Sequence, residues 1–563
     1  MAKKDKKNSS NKEVKINPWV VFTGFLAISI IVFKPCFSAL LTNWDDGSYV
    51  TDNLLIRSLS LKDIFSAFVV GNYHPITMLS YALEYHFFKI NPTVFHTTNV
   101  LLHAVNSFLV FILVQKITKQ NFIALFTSVL FCIHPFHVEP VAWVADRKDL
   151  LATLFFLLGI RAYLQYIASS TNKHYFFVIM FFLLSVLSKA TSVVFPIVLI
   201  LLDYLLMEKI ELKKWLNKLP LLAISIAFGF LAIKAQSDTP AMGVRVDYNF
   251  LDRFFLGCYS FALYIINAVF PIKLSAYHPY PVMQAGRFSF LVYLSVIPVI
   301  AVVGLLIYYL KQRHKLPFVL LTFFLVTIGL LLQFIPVGFA IIAERYTYLP
   351  FIGLFALIAF YWHRFAKQKK YFWIAPIMYS LVLAFISFDR CKVWQNSLTL
   401  WTDVIEKYDK AELAYLNRGI IYAGSGQIQK GYDDFNKAIE SYPDYLQAYN
   451  NRGLAKYDLG NVQGSIEDFN KAIQIDSTFY ESLNNRGLSF LTLKQHDKAF
   501  SDFNAAIKFK PDFALAYYNR GNAFAELGEI EKAKVDIQQA ANLYKQQNNL
   551  QLANRVLNRF KEL

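Results

Sequence analysis

The sequence predicts an all-α chain: a polytopic membrane helical domain of about eleven spans, then an α-solenoid. Three observations carry this. Of the 563 residues 56% are hydrophobic, and 53 are Phe, whereas soluble proteins run at roughly 45–50% apolar. The apolar residues fall in long uncharged runs before position 390. After position 388 a short motif recurs at a fixed spacing of 34 residues.

Taken in order, residues 1–17 form a basic tail, and the positive-inside rule puts it in the cytoplasm. The run at 18–33 lacks a small-residue cleavage site, so it reads as a retained first span and not a signal peptide. A polar first loop follows at 42–94. Within it Leu54 to Phe68 has apolar residues at helical spacing, which predicts a helix along the membrane surface. Further apolar runs lie at 96–115, 121–138, 149–168, 174–189, 192–207, 217–234, 252–271, 289–310, 316–335, 348–363 and 371–388. Basic loops at 116–119, 208–218, 311–315 and 363–370 are expected on the cytoplasmic side. Three runs separate the second of these loops from the third, and an odd number of crossings cannot join two loops on one side. Making 252–271 non-spanning, between Asp252-Arg253 and Pro271, leaves eleven spans. Everything after Phe388 then lies on the non-cytoplasmic side, periplasmic in a bacterium or luminal in an endoplasmic reticulum.

The net charge of +17 is confined to the membrane half, because residues 411–563 hold 18 basic and 18 acidic side chains. A nucleic-acid binder would carry its basic face on the soluble domain, so nucleic acid is excluded as a partner and the bilayer takes its place. The four cysteines are scattered without CxxC or metal spacing, which predicts no disulfide framework.

The solenoid is written in the repeats. Asn-Arg-Gly recurs at 417–419, 451–453, 485–487 and 519–521. Phe435, Phe469, Phe503 and Ile537 run in phase with it, as do Ala438, Ala472, Ala506 and Ala540. Pro443 and Pro511 close two of the repeats. A 34-residue period with these residues is the tetratricopeptide signature. It predicts about four repeats over 391–545, led by an unpaired helix at 394–408, with a capping helix at 546–563. Their concave surface suits a protein or peptide partner; bracing or dimerisation is the plainer use.

Chemistry points to polar groups at one end of the spans. Asp45 and Asp46 follow the first span, where the plain reading is a solvated Asp-Gly turn. His134, His137 and Glu139 lie within six residues, with Arg147 close behind. Two imidazoles and a carboxylate leave a divalent metal open as a cofactor; aromatic and His anchoring at the interface is the alternative. Lys189, Glu344 and Arg345 end spans on the same side, and His74 lies in the first loop. Arg and Lys there suit a lipid-linked phosphate, against simple snorkelling. No phosphate-binding glycine loop, dinucleotide fingerprint, nucleophile elbow or HExxH helix is present.

WDD after the first span, YHPITMLSYALEY, FHTTNVLLHAVNSFLVF, HPFHVEPVAWVADRKDLLATLFFLL, LSKATSVVFPIVLILLDY and AERYTYLP occur in that order ahead of the repeats. This resembles the transmembrane and tetratricopeptide-repeat-containing family, whose members are similar to protein O-mannosyltransferases and share the GT-C glycosyltransferase fold. The resemblance implies transfer of a sugar, a hexose such as mannose, from a polyprenyl-phosphate donor to a protein Ser or Thr hydroxyl on the non-cytoplasmic face. It implies a catalytic carboxylate in the first loop, hence Asp46 or Asp45, and a lipid-phosphate site drawn from His74, His134, His137, Glu139, Arg147, Lys189, Glu344 and Arg345. Two positions depart from the family pattern: Ala190 where an acidic residue often follows the Lys, and His74 where Arg is common. The alternative function is a non-catalytic, membrane-anchored scaffold. A transporter would show an inverted repeat or a charged pair in mid-membrane, and neither is evident.

Overall fold

Asn17 starts the first helix, Pro18–Val32, its side chain accepting the Trp19 N–H at 3.0 Å, and Pro18 sits where a missing N–H costs nothing. The computed structural model describes residues 17–207, 215–237, 248–334, 340–366, 369, 371–547 and 549–562. The basic tail up to residue 16 lies outside these residues, as do 208–214 of one basic loop and 367, 368 and 370 of another. Contacts divide the chain into two units, Met1–Asn396 and Ser397–Leu563.

The first unit is almost wholly helical. Among the described residues five helices are long and apolar enough to cross a membrane: Pro92–Thr118, Val144–Ser169, Leu219–Gln236, Phe290–Lys311 and Ile374–Val393. Asn121–Ile133 with Pro135–Ala142 makes a sixth if that pair, bent by 55°, is one span. Pro18–Val32, Asn172–Ser188, Ala190–Leu206, Lys315–Gly329 and Phe351–Ala366 are apolar but shorter. The run at 252–271 is an 18-residue helix, Phe250–Asn267, which starts with an Asn249 cap and is not among the long apolar helices.

Helix position within the unit follows from burial. In Pro92–Thr118 and Val144–Ser169, 56% and 61% of the apolar window is buried, against 11% in both Leu219–Gln236 and Phe290–Lys311. The first two form the centre, and the last two present apolar side chains outward, as lipid demands.

The first loop is more structured than its composition implies. In place of one surface helix over 54–68 there are two short turns, Leu54–Arg57 and Leu61–Ser66, separated where Ser58 takes an extended conformation. Asn53 and Ser60 cap them by accepting backbone N–H bonds, and each cap restarts the backbone. A 14-residue helix, Pro75–Phe88, fills the rest of the loop. The third apolar run also differs from expectation. Its helix stops at Ile133 because Pro135 cannot donate to the ladder, and the chain continues through the turns Pro135–His137, Val138–Ala142 and Val144–Asp146.

The second unit is a helical solenoid. A leading helix, Ser397–Lys407, precedes the pairs Glu412–Gly424 with Ile428–Ser441, Leu446–Asp458 with Val462–Ile475, Tyr480–Thr492 with His496–Phe509, and Ala514–Glu526 with Ile530–Gln546. Leu550–Glu562 closes it. The periodic Gly is a packing requirement: a Cβ on Gly453 would meet Phe469 Cε1 at 2.6 Å, and one on Gly487 would meet Phe503 at 2.8 Å. The neighbouring Arg is a staple. Arg452 grips Asp468 with Nε and Nη2 at 2.8 and 2.7 Å, and its Nη1 donates to Asn436 of the preceding repeat at 2.8 Å. Arg486 and Arg520 repeat the arrangement on Asp502 with Asn470 and on Asp536 with Asn504.

Candidate active site

The turns at one end of the first unit hold the site. Asp46 is buried and accepts three hydrogen bonds, from Thr42 N–H at 2.7 Å, Thr42 O–H at 2.9 Å and Ala145 N–H at 2.8 Å. It thereby fastens the first loop to the turn Val144–Asp146. Burial pushes its carboxyl up to about 6, with the Thr42 and Ala145 donors pulling against that. Asp45 is half-buried and free of such a clamp. Burial raises its pKa too, opposed by the nearby charges of Lys148 and Arg345.

Lys148 and Arg345 act on Asp45, and Lys189 acts on His74. Lys148 Nζ lies 3.7 Å from Asp146 Oδ1, over the rings of Tyr49 at 4.8 Å and Trp143 at 5.5 Å. Lys189 Nζ contacts Asp149 at 2.5 Å and faces Tyr346 at 5.6 Å. Arg345 Nη1 bonds Glu139 Oε1 at 2.5 Å, and its backbone N–H donates to the other oxygen at 3.0 Å. Its guanidinium also lies over Trp143 at 5.2 Å and Tyr346 at 4.9 Å. Their side chains retain 10%, 13% and 17% exposure, against 0% for Arg147. Trp44 stacks on Trp143 with ring centres 4.6 Å apart. His74 stacks on Tyr49 at 5.2 Å; burial first, then Lys148 and Lys189, push its pKa down to about 3. It is neutral at physiological pH.

Of the residues expected in the site, Asp45, Asp46, His74, Glu139, Lys189 and Arg345 come together here. Arg147 is placed elsewhere. Its guanidinium is fully buried and bonded to Glu84 at 2.6 Å, Asn99 at 2.8 Å and the Phe95 carbonyl at 2.9 Å, over the Tyr81 ring. It ties Pro75–Phe88 and Pro92–Thr118 to the helix Arg147–Ser169. His134 and His137 are packed among Phe131, Tyr348, Phe351 and Phe355. Glu344 faces inward, accepting Ser275 N–H at 2.6 Å, with His278 at 3.7 Å. Among the described residues no three His, Cys, Asp or Glu side chains converge to hold an ion; Glu139 is engaged by Arg345, and the imidazoles of His134 and His137 lie in an aromatic core.

In the sequence the Arg147 of this cluster is flanked by Asp146, Lys148 and Asp149, and it is Lys148 that lies over the Tyr49 and Trp143 rings. Successive helical residues point about 100° apart, so Arg147 and Lys148 cannot serve one face. Trp143 and Tyr346 carry no charge signal in the sequence, although Tyr346 adjoins Arg345 and Trp143 lies three residues before Asp146.

Family models described as TPR repeat and tetratricopeptide repeat match residues 489–528, and 416–478 and 514–547. The second unit is a tetratricopeptide solenoid. Across most of the chain the similarity is to proteins named protein O-mannosyl-transferase. A Caenorhabditis elegans protein of that name is 23% identical over 448 residues, 74% of this chain and 61% of the relative. The Homo sapiens Protein O-mannosyl-transferase TMTC3 is 34% identical over 131 residues, 21% of this chain and 14% of the relative. The chain thus spans under two thirds of the relatives it matches. Among solved structures, MamA matches 27% of this chain and 90% of its own at 20% identity and a TM-score of 0.25. YrrB, described as a TPR protein with an unusual peptide-binding site, matches 36% of this chain and 98% of its own at 21% identity and a TM-score of 0.25.

Proposed function

We propose that the protein is a membrane glycosyltransferase of GT-C type that moves a hexose, such as mannose, from a polyprenyl-phosphate donor to a Ser or Thr hydroxyl. The observation that carries the reading is the half-buried Asp45 with the charges of Lys148 and Arg345 close by, and with Lys189 facing the same Tyr346 ring as Arg345. The relatives named protein O-mannosyl-transferase support the same class.

In this reading Asp45 takes the proton from the acceptor hydroxyl as its oxygen forms a bond to the anomeric carbon. The bond from that carbon to the phosphate oxygen breaks, and polyprenyl phosphate leaves with the extra negative charge. Lys148, Lys189 and Arg345 stabilise that charge. Asp46 positions the loop through Thr42 and Ala145, and neutral His74 accepts or donates a hydrogen bond without adding charge. Glu139 and Asp149 hold the Arg345 and Lys189 side chains in place. The site faces the non-cytoplasmic side, with about eleven spans, a cytoplasmic N-terminus and the repeats on the site's side, where they recruit the acceptor polypeptide.

Mass spectrometry of secreted and envelope proteins, from cells with and without the gene, tests this. Loss of a hexose from Ser or Thr is expected on deletion, with no recovery by Asp45→Asn. An unchanged glycan pattern would leave the scaffold reading in its place.

A further inference from the structure

An open groove of about 250 Å³ runs between the first helix, Asn121–Ile133 and Ile374–Val393. Its wall passes from Phe122 and Trp373 at one end to Ile133 and Ala384 at the other, with Ile28 from the first helix and Ser380 as its one hydroxyl. The rim residues Ile377 and Leu381 are 53% and 59% exposed, so the groove opens on the side where lipid lies. Phe122 and Ile133 stand about 16 Å apart along the helix axis, which is about half of a ~30 Å hydrocarbon core. The groove therefore has the depth of one leaflet. At the Phe122 end two basic turns meet. The Phe122 ring packs against Phe372 at 4.5 Å, Trp373 at 4.7 Å and His363 at 5.6 Å, and Trp362 Nε1 donates to the Phe372 carbonyl at 3.1 Å. One turn carries Lys116 and Lys119, the other Arg364 and Lys369, and all four are exposed. No Asp or Glu occurs between Glu84 and Glu139, or between Glu344 and Asp389, so no carboxylate within these segments offsets the charge. The opposite end of Asn121–Ile133 leads into the turns that hold the candidate active site.

We propose that this groove binds one anionic phospholipid of the bilayer, with a fatty-acyl chain lying between Phe122 and Ile133 and the phosphate held by Lys116, Lys119, Arg364 and Lys369. Basic clusters at the ends of membrane helices attract anionic head groups, and Arg adds a forked donor to a phosphate where Lys adds a point charge. A bias of basic loops to one side explains the sign of these turns, but not their meeting at the mouth of an apolar groove. A bilayer phospholipid fits better than a polyprenyl-phosphate donor for two reasons. The groove is one leaflet deep, which suits an acyl chain, and its charged mouth lies a helix length from Asp45 and Arg345. The bound lipid would brace the first helix and Ile374–Val393 against Asn121–Ile133. Neither the site nor its test depends on the transferase reading.

The test titrates the full-length protein in detergent with phosphatidylglycerol or phosphatidylcholine carrying brominated chains, which quench a Trp ring they touch. The quenching lost on Trp373→Phe is the share of Trp373, at the groove's charged end. Phosphatidylglycerol should reach half-quenching at a concentration about tenfold below that of phosphatidylcholine. Replacing Lys116, Lys119, Arg364 and Lys369 together by Gln should bring the two lipids to the same concentration. These side chains are exposed, so the thermal melt should stay that of the wild type without added lipid. Ser380→Phe, which fills the groove, should also remove the preference. Equal half-quenching by both lipids in the wild-type protein overturns the proposal, as does a preference that survives the four Gln substitutions. An unbrominated polyprenyl phosphate that displaces brominated phosphatidylglycerol at a lower concentration than unbrominated phosphatidylglycerol does would overturn it too, by giving the groove to the donor.

Discussion

Replacing the staple Arg by Ala should cost different amounts in successive repeats, and the structure says which is larger. Arg486 makes two charge-assisted bonds to Asp502, at 2.8 and 2.7 Å, and a third to Asn470 at 2.6 Å. Its side chain is 21% exposed and that of Asp502 only 7%. Breaking a fully buried pair costs roughly 3–5 kcal/mol, chiefly because a charge is left unpaired. Partial exposure lets water reach Asp502, so Arg486→Ala should cost about 2–3 kcal/mol. In the preceding repeat Lys456 Nζ stands 3.0 Å from Asp468, a second cation that stays when Arg452 is removed. Arg452→Ala should therefore cost about 1–2 kcal/mol. The equivalent of Lys456 beside Asp502 is Phe490, which offers no charge. Urea denaturation of the 397–563 segment, followed by circular dichroism, gives both values. Equal losses, or a larger one for Arg452→Ala, would refute the claim that the orphaned carboxylate sets the cost. Adding Lys456→Met to Arg452→Ala should bring that loss up to the Arg486→Ala value.

Other outcomes follow from the same structure. Lys148→Gln should raise KM for a polyprenyl-phosphate hexose about tenfold, roughly 1.4 kcal/mol, whereas Arg147→Gln should lower Tm instead; transfer assays and thermal melts separate the two. The pKa of Asp46 is raised to about 6, so its protonation favours the fold below about pH 4 and that contribution is lost as pH rises through about 6. Wild-type Tm should therefore gain, between pH 7 and 4.5, an increment that Asp46→Asn lacks, read as the difference between their thermal-shift profiles. Lys494 has φ +60° where Gly426, Gly460 and Gly528 occupy the same turn. Lys494→Gly should stabilise the repeats by about 0.5–1 kcal/mol, measured by urea denaturation, because a Cβ is costly there.

The repeats were legible because their signal is local and periodic. Each Gly meets a large apolar side chain 16 residues on, Phe in three repeats and Ile537 in the fourth, and both recur every 34. The apolar helices were equally plain, since composition alone sets them. The helix Pro75–Phe88 was missed because it lay in what read as a polar loop, although Pro75 at its first turn was a start signal. The bend after Ile133 was missed because the apolar run continues past the residue that breaks the helix.

The sequence by itself determined the two-part architecture, the solenoid's repeat, and that charged groups gather at helix ends beside Asp45 and Asp46. Tertiary structure alone decided which of those charges are available. Arg147 and Lys148 are adjacent and both cationic, but Glu84, Asn99 and Phe95 saturate the first, while the second lies beside Asp146 over the Tyr49 and Trp143 rings. The same holds for Asp46, clamped by Thr42 and Ala145, and Asp45, which is not. Burial and partner count are made by segments that lie tens to hundreds of residues away in the chain. Local spacing can place a charge on a helix end, but only packing fixes what neutralises it.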